Sequence, residues 1–265
     1  MSIEPSRGGS EIVIARTLYE AKRAKEIVPI SQATGVILCG GSGTRLRDIT
    51  HEQTIKPLLP LSSTKTLIDN PLSFLRQAGV KSIYLVTAEH AIDNLRKYAH
   101  TNRDRFDGIR YFVDDQPPTG TIPLLKKFIN ETEIQTPIIK ANGDEIYASV
   151  DIQGLYETHS REQHQITGLL TDESEGAEKY KLWMNKKGKV TKIQERPFTD
   201  ASGYYETGLW VIEPTQFPLI QESRSWADFL SLALQCQQLW GHPTHSKFIN
   251  VNTLSDLEKA RKRDQ

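Results

Sequence analysis

Several large classes of protein are excluded by what this chain lacks. It has only two cysteines, Cys39 and Cys236, in 265 residues, so nothing points to a disulfide framework. Neither sign of charge is in excess: 33 basic and 33 acidic residues balance, and no global field draws the chain to nucleic acid or to a membrane. No apolar run approaches the roughly 20 residues that a membrane helix needs. The first residues lack the basic start and continuous apolar block of a secretory leader. There is no internal repeat and no low-complexity segment. These absences predict a soluble, cytoplasmic protein with neither a nucleic-acid nor a membrane partner. What is present is a hydrophobic content of 37%, enough for one sizeable core in a single domain with additions.

The order of elements comes from apolar periodicity. Residues 11–28 read as a helix ahead of the first strand, joined to it by a linker over 29–34. A short buried strand follows over 35–39, then a helix over 67–77 with Asp69 or Asn70 as cap and Pro71 in its first turn. A nearly all-apolar strand over 82–87 fits a parallel sheet covered on both faces. A helix over 91–100, a strand over 109–114, a helix within 120–131 and the strand "PIIKANGDE" complete an alternation of strand and helix. That alternation predicts a three-layer, doubly wound α/β fold with a mostly parallel sheet. Beyond it the pattern becomes strand-rich: "QITGLLTDE", a hairpin within 180–196 turning at Lys187-Gly188, and "YYETGLWVIEP". A helix over 225–240, the strand "SKFINVN" and a helix over 254–263 finish the reading.

One stretch carries chemistry: "GVILCGGSGTRLRDITHEQTIKPLLPL", residues 35–61. Glycines after a first strand let backbone N–H groups approach phosphate oxygens, because no Cβ stands in the way. A P-loop is excluded, since Gly43 is followed by Thr44-Arg45 and not by Lys-Ser/Thr. The dinucleotide fingerprint is excluded too, since Leu46 stands where its third glycine belongs. What remains is a phosphate loop with one cation at Arg45 and a second, Lys56, brought back by the chain. Two such charges suit a pentacoordinate phosphoryl transition state and a departing pyrophosphate. The alternative is a glycine-rich turn with solvated Arg and Lys.

This stretch resembles the signature of the sugar-phosphate nucleotidyltransferases, roughly GGxGTRLxPxT followed by KPxxP, with Asp48 where proline is frequent. More landmarks follow in order: "PLSFLRQAGVKSIYLVT", "QPPTGTIPLL", "NGDEIY", "VTKIQERP", "YYETGLWVI" and "FINVNTLSDLEKA". Departures are Ile122-Pro123 for Ala-Gly, Arg196 for lysine, and Glu206 for asparagine. The resemblance implies a Rossmann-like, GT-A-like fold. Residues 1–34 would form an N-terminal helical extension and 35–265 the nucleotidyltransferase domain. Its nucleotide-binding part would cover about 35–145, and a sugar-binding part with a small β-rich insertion about 146–265.

The implied reaction joins an NTP to a sugar 1-phosphate, giving an NDP-sugar and pyrophosphate, with Mg²⁺ as cofactor. The sugar phosphate would attack in line, leaving the protein to position groups and neutralise charge. The resemblance gives the catalytic roles to Arg45, Lys56 and Asp144. The nucleotide would meet Cys39, Gly40, Gly41, Ser42, Gly43, Thr44, Gln116, Gly120 and Thr121. The sugar phosphate would meet Gly143, Glu195, Arg196, Glu206, Thr207 and Gly208. Mg²⁺ would sit on Asp144 with Asn252 or, as the alternate, Asn250, since a hard cation takes oxygen. On the residues alone, Asp144 also reads as a turn aspartate, and Glu195 and Glu206 as solvated acids. Two other functions stay open: cytidylyl transfer to a non-sugar phosphate or phosphonate, and a nucleotide- or NDP-sugar-binding regulatory domain without turnover. The N-terminal helix is expected to pack on the core or on a second subunit of a homo-oligomer. His242 and His245, three apart, form a weak metal pair with no third ligand nearby.

Overall fold

The computed structural model describes residues 27–39, 55–115, 120–173 and 179–264. The expected helix over 11–28 lies almost wholly outside them. So do Gly40, Gly41, Ser42, Gly43, Thr44, Arg45 and Gln116.

Four parallel strands build the first part of the sheet: β1 (Thr34–Leu38), β2 (Ser82–Ala88), β3 (Arg110–Asp114) and β4 (Ile138–Asn142). Alternate residues of β1 feed opposite cores, Val36 one and Ile37 the other, as the two-residue period of a strand requires. Helices α1 (Asp69–Gln77), α2 (Glu89–Thr101) and the short α3 (Arg103–Phe106) lie on the Ile37 side, and α4 (Thr121–Thr132) covers the Val36 side. Burial on both faces explains why these strands read as apolar runs.

The sheet continues beyond β4. β6 (Ile166–Thr171) and β10 (Leu239–Thr244) pair in parallel, while β9 (Tyr204–Ile212) runs antiparallel between β4 and β6. The full order is β10-β6-β9-β4-β1-β2-β3. The hairpin β7 (Tyr180–Met184) and β8 (Val190–Glu195) hangs from β9 and is the expected β-rich addition. Its turn is closed by Gly188 N–H donating to Asn185 O and Asn185 N–H to Lys189 O. β5 (Glu145–Tyr147) and β11 (Phe248–Asn250) form a separate antiparallel pair beside the sheet. Helices α5 (Ile152–Arg161), α6 (Phe217–Glu222), α7 (Trp226–Gln235) and α8 (Leu254–Asp264) complete the fold. The result is a three-layer, mostly parallel α/β fold, as expected. No helix among the described residues is long and apolar enough to cross a membrane.

Two expectations are corrected and one helix is added. The helix read over 225–240 stops at Gln235, and Leu239 and Trp240 open β10. The chain leaves α7 through Gln237 at φ 58°, a left-handed turn made without the glycine that would have signalled it. Neither Asp69 nor Asn70 caps α1. Asp69 accepts from Thr66 N–H (2.7 Å) and from the Tyr98 hydroxyl (2.6 Å), whereas Asn70 exchanges bonds with the Tyr147 backbone and so ties α1 to β5. Finally, α5 had no counterpart in the sequence reading. Its buried side is Ile152, Leu155, Tyr156 and His159, and Asp151 caps it by accepting from Gly154 N–H at 2.7 Å. Residues 27–33 run against this helix, where the Tyr156 hydroxyl donates to Val28 O at 2.9 Å.

Candidate active site

The strand order reverses at β1: β2 lies on one side of it and β4 on the other. In open α/β sheets such a switch point leaves a crevice at the carboxyl ends of the strands, where ligands bind. A cavity of about 370 Å³ opens there. Strand ends supply Leu38 and Cys39, Ala88, Asp114 and Asn142; the first turn of α4 supplies Thr121 and Leu124. Lys56, Asp144, Asn250 and Asn252 close the remaining side.

Each of these polar groups is held by a local device. Lys56 begins a short 3-10 turn, Lys56–Leu58, with Pro57 and Leu58 buried. Pro57 O accepts from Ile68 N–H at 2.9 Å, anchoring the turn just ahead of α1. Asp144 follows Gly143, whose N–H donates to Leu38 O at 2.9 Å. A Cβ on Gly143 would press on Cys39 Sγ and Leu38 O, so the glycine lets the β4 end lie against the β1 end. Asn252 precedes a capping box. Thr253 Oγ1 accepts from Asp256 N–H at 3.2 Å, and Asp256 Oδ2 accepts from Thr253 N–H at 2.8 Å, which fixes the entry into α8. Val251 N–H donates to Asp144 O at 3.3 Å and stitches that segment to the site.

These devices converge on one point. The Lys56 ammonium forms an ion pair with Asp144 Oδ2 and lies 3.3 Å from Asn252 Oδ1. A carboxylate and an amide oxygen from segments far apart in sequence thus face one positive charge. Asn250 lines the same cavity, and its backbone oxygen accepts from Asn252 Nδ2 at 3.5 Å. The donor set fits a magnesium ion, which takes hard oxygens from one or two side chains and completes its shell with water and phosphate. Among the described residues no three or more His, Cys, Asp and Glu side chains group as a metal site; His245 Nδ1 instead pairs with Asp172 at 2.8 Å. Cys39 is buried, and its Sγ donates to Ile37 O at 3.6 Å. Burial, reinforced by the Asp144 charge, pushes its thiol well above the usual range, which suits a packing residue and not a nucleophile.

A second group of charges lies one layer behind the cavity wall. Lys140 and Glu145 are each 2% exposed. Lys140 Nζ donates to Gly208 O at 2.9 Å and stands 4.8 Å from the centre of the Trp226 ring. Glu145 accepts from Asn142 Nδ2 (2.6 Å) and the Tyr147 hydroxyl (2.9 Å). Burial pushes the Glu145 carboxyl up to about 8, opposed mainly by Lys140. Burial likewise lowers Lys140, opposed by Glu145, Glu206 and Asp144. Gly208 has φ 74°, and a Cβ there would collide with the Glu145 carboxylate and the Asn142 amide, so glycine is required on both counts.

The expected site residues therefore separate into groups. Lys56, Asp144, Asn250, Asn252, Cys39, Gly120 and Thr121 all line the cavity, and Gly143 supports its floor. Glu206, Thr207 and Gly208 engage the interior. Glu206 Oε1 accepts from the indoles of Trp210 (2.8 Å) and Trp226 (3.0 Å), and the Thr207 hydroxyl donates to Leu169 O at 2.8 Å. Glu195 lines a different hollow, of about 290 Å³, between β8 and α7, and pairs with Lys179 at 3.3 Å. The Arg196 guanidinium lies 5.4 Å from the centre of the Phe198 ring. Asp114 and Asn142 went unnoticed in the sequence. Each ends a strand of the sheet, and that position is the signal that could have found them.

Comparison with known proteins agrees with this geometry. A mannose-1-phosphate guanyltransferase of Yarrowia lipolytica is 28% identical over 194 residues, covering 70% of this chain and 51% of the relative. A glucose-1-phosphate thymidylyltransferase of Xanthomonas campestris is 29% identical over 194 residues, covering 68% and 60%. The chain thus spans between about half and three-fifths of the length of these curated relatives. Among solved structures, a Bacillus anthracis protein assigned as a glucose-1-phosphate thymidylyltransferase, crystallised with a sucrose, shares the fold. Its TM-score is 0.74 at 22% identity, over 88% of this chain and 96% of that one. The nucleotidyl transferase family model matches residues 34–249, a span that opens with β1 and runs into β11 and so includes Lys56 and Asp144: the chain belongs to the nucleotidyl transferase family.

Proposed function

We propose that this chain transfers a nucleoside monophosphate from an NTP to a sugar 1-phosphate. A phosphate oxygen of the sugar attacks the α-phosphorus; one O–P bond forms, the bond to the β-phosphate oxygen breaks, and pyrophosphate leaves. One observation carries the reading: the Lys56 ammonium, the Asp144 carboxylate and the Asn252 amide oxygen meet in a cavity at the switch point of the sheet. The names of the relatives support the substrate class, and they differ on the base.

In this reading Lys56 neutralises the α-phosphate and the attacking phosphate. In the ligand-free site its charge is engaged by Asp144, so an arriving polyphosphate exchanges one anionic partner of the ammonium for another. Asp144 and Asn252 would hold Mg²⁺, which supplies charge neutralisation between the phosphates. Arg45 is assigned to the β- or γ-phosphates and to the leaving group. Fixed charges aimed at the reacting phosphorus from the walls of a cavity act more strongly than in bulk solvent.

The test is pyrophosphate release from a panel of NTPs paired with sugar 1-phosphates, with and without Mg²⁺. Release that requires both substrates and disappears in Lys56→Ala and Asp144→Ala is the expected result. Tight NTP binding with no release for any phosphate acceptor would instead support a regulatory binding domain.

A further inference from the structure

Asn142 ends β4, is half-buried and lines the cavity, separated from Asp144 by Gly143 alone. Its amide is held in one orientation through its nitrogen. Nδ2 donates to Glu145 Oε1 at 2.6 Å, and Glu145 is 2% exposed. Gly208 closes on the same nitrogen, since a Cβ there would come within 2.6 Å of it. The protonation state of Glu145 does not disturb this bond. A proton on Oε2 has the Tyr147 hydroxyl as its acceptor at 2.9 Å, and that hydroxyl can donate onward to Thr207 O at 2.8 Å. Oε1 therefore accepts from Nδ2 whether the carboxyl is charged or neutral. The amide oxygen is the end left to the cavity, and among the described residues no hydrogen bond reaches it.

An amide oxygen is a neutral acceptor that takes O–H or N–H groups. Ionised phosphate oxygens offer it nothing. Asn142 stands at the charged end of the cavity, beside Asp144, where the phosphates belong. The part of each substrate bonded directly to a phosphate is a ring rich in hydroxyls: the ribose of the NTP or the ring of the sugar 1-phosphate. We infer that Asn142 is a specificity-determining residue whose amide oxygen, aimed by Glu145, accepts from a ring hydroxyl of a bound substrate. A substrate without that hydroxyl leaves the oxygen desolvated and unpaired, and the site rejects it. The inference rests on the nucleotidyl-transfer reading of the cavity and adds a contact to it.

Pyrophosphate release by the full chain with Mg²⁺ tests it. Nucleoside triphosphates are paired with glucose, mannose and galactose 1-phosphates. The pairs that react are repeated with one hydroxyl removed at a time, from the ribose or from the sugar ring. Removal of the hydroxyl that meets Asn142 should lower kcat/KM about tenfold, and the ring that carries it identifies the substrate touched. In Asn142→Leu the parent substrate should fall by about the same factor, and removing that hydroxyl should then cost nothing further. Asn142→Asp combined with Glu145→Gln reverses the buried bond and keeps an oxygen toward the cavity. That pair should retain the discrimination, and it carries the test if Asn142→Leu does not fold. The inference is overturned if no single hydroxyl matters in the native chain, if every loss persists in Asn142→Leu, or if the double variant loses the discrimination. Nucleotidyl transfer would survive any of these results; if no pair releases pyrophosphate, both readings fall.

Discussion

Two lysines near the same edge of the sheet show how one charge type serves two ends. Lys56, 11% exposed, is engaged by Asp144, itself 27% exposed, and by an asparagine side chain. Lys140, 2% exposed, is fixed to a backbone carbonyl, a tryptophan face and the field of Glu145. The partners of the first line an open cavity, where a ligand can displace them. Those of the second are in the interior, where nothing can. A charge meant for a substrate must have exchangeable partners, whereas a structural charge must be satisfied permanently, because an unpaired buried ion costs several kcal/mol.

The comparison predicts opposite outcomes for the two lysines. Lys56→Ala should slow pyrophosphate release by about 10²–10³, or roughly 3–4 kcal/mol of activation free energy, while denaturant unfolding changes by no more than about 1 kcal/mol. A large stability loss there would erase the distinction. Lys140→Met should do the reverse and cost about 3 kcal/mol of unfolding free energy. This is the low end for breaking a buried pair, because Glu145, already pushed up to about 8, can take a proton. The double replacement Lys140→Met with Glu145→Gln should recover most of that loss, and a double variant no better than the single would show that the two are uncoupled.

Gly208→Ala probes the same interior from the backbone. Strain at φ 74° and collision with Glu145 should together cost about 2–3 kcal/mol, read as a lowered melting temperature. The smallest effect concerns a buried base held chiefly by stacking. His164 lies 4.0 Å from Trp240, ring to ring, and burial lowers its pKa from 6.5 to about 4. The unfolded chain therefore binds more protons between those values, so this contribution is present above pH 6.5 and lost as pH falls toward 4. By pH 5 the loss should be about 2 kcal/mol. His164→Phe, which keeps the stack, should flatten that part of the stability–pH curve; an unchanged slope would assign the acid sensitivity elsewhere.

How much the sequence disclosed follows from where each signal is stored. Lys56, Asp144 and Asn252, which the structure brings to one cavity, could be singled out because each falls in a landmark of the resemblance: the Lys-Pro pair, "NGDEIY" and "FINVNTLSDLEKA". The parallel strands were legible because burial on two faces leaves an apolar run. The helix α5 was not, because its buried side includes His159, which bonds Thr167 and Glu213 inside the core and reads as polar. Asp114 was hidden because a carboxylate at a strand end is common, and only the third dimension shows that it lines the cavity. The partners of Glu206 were hidden for a related reason: a tryptophan 20 residues away along the chain leaves no trace in any local pattern.

One consequence concerns synthesis. Lys56 and Asn252 are separated by 196 positions, and Asn252 follows β11, which pairs with β5 beside the cavity. A nascent chain emerging from the ribosome can assemble β1 to β4 early. Asn252 can join Lys56 at the cavity wall only after residue 252 has cleared the exit tunnel, so the pocket is finished near the end of synthesis and not at its start.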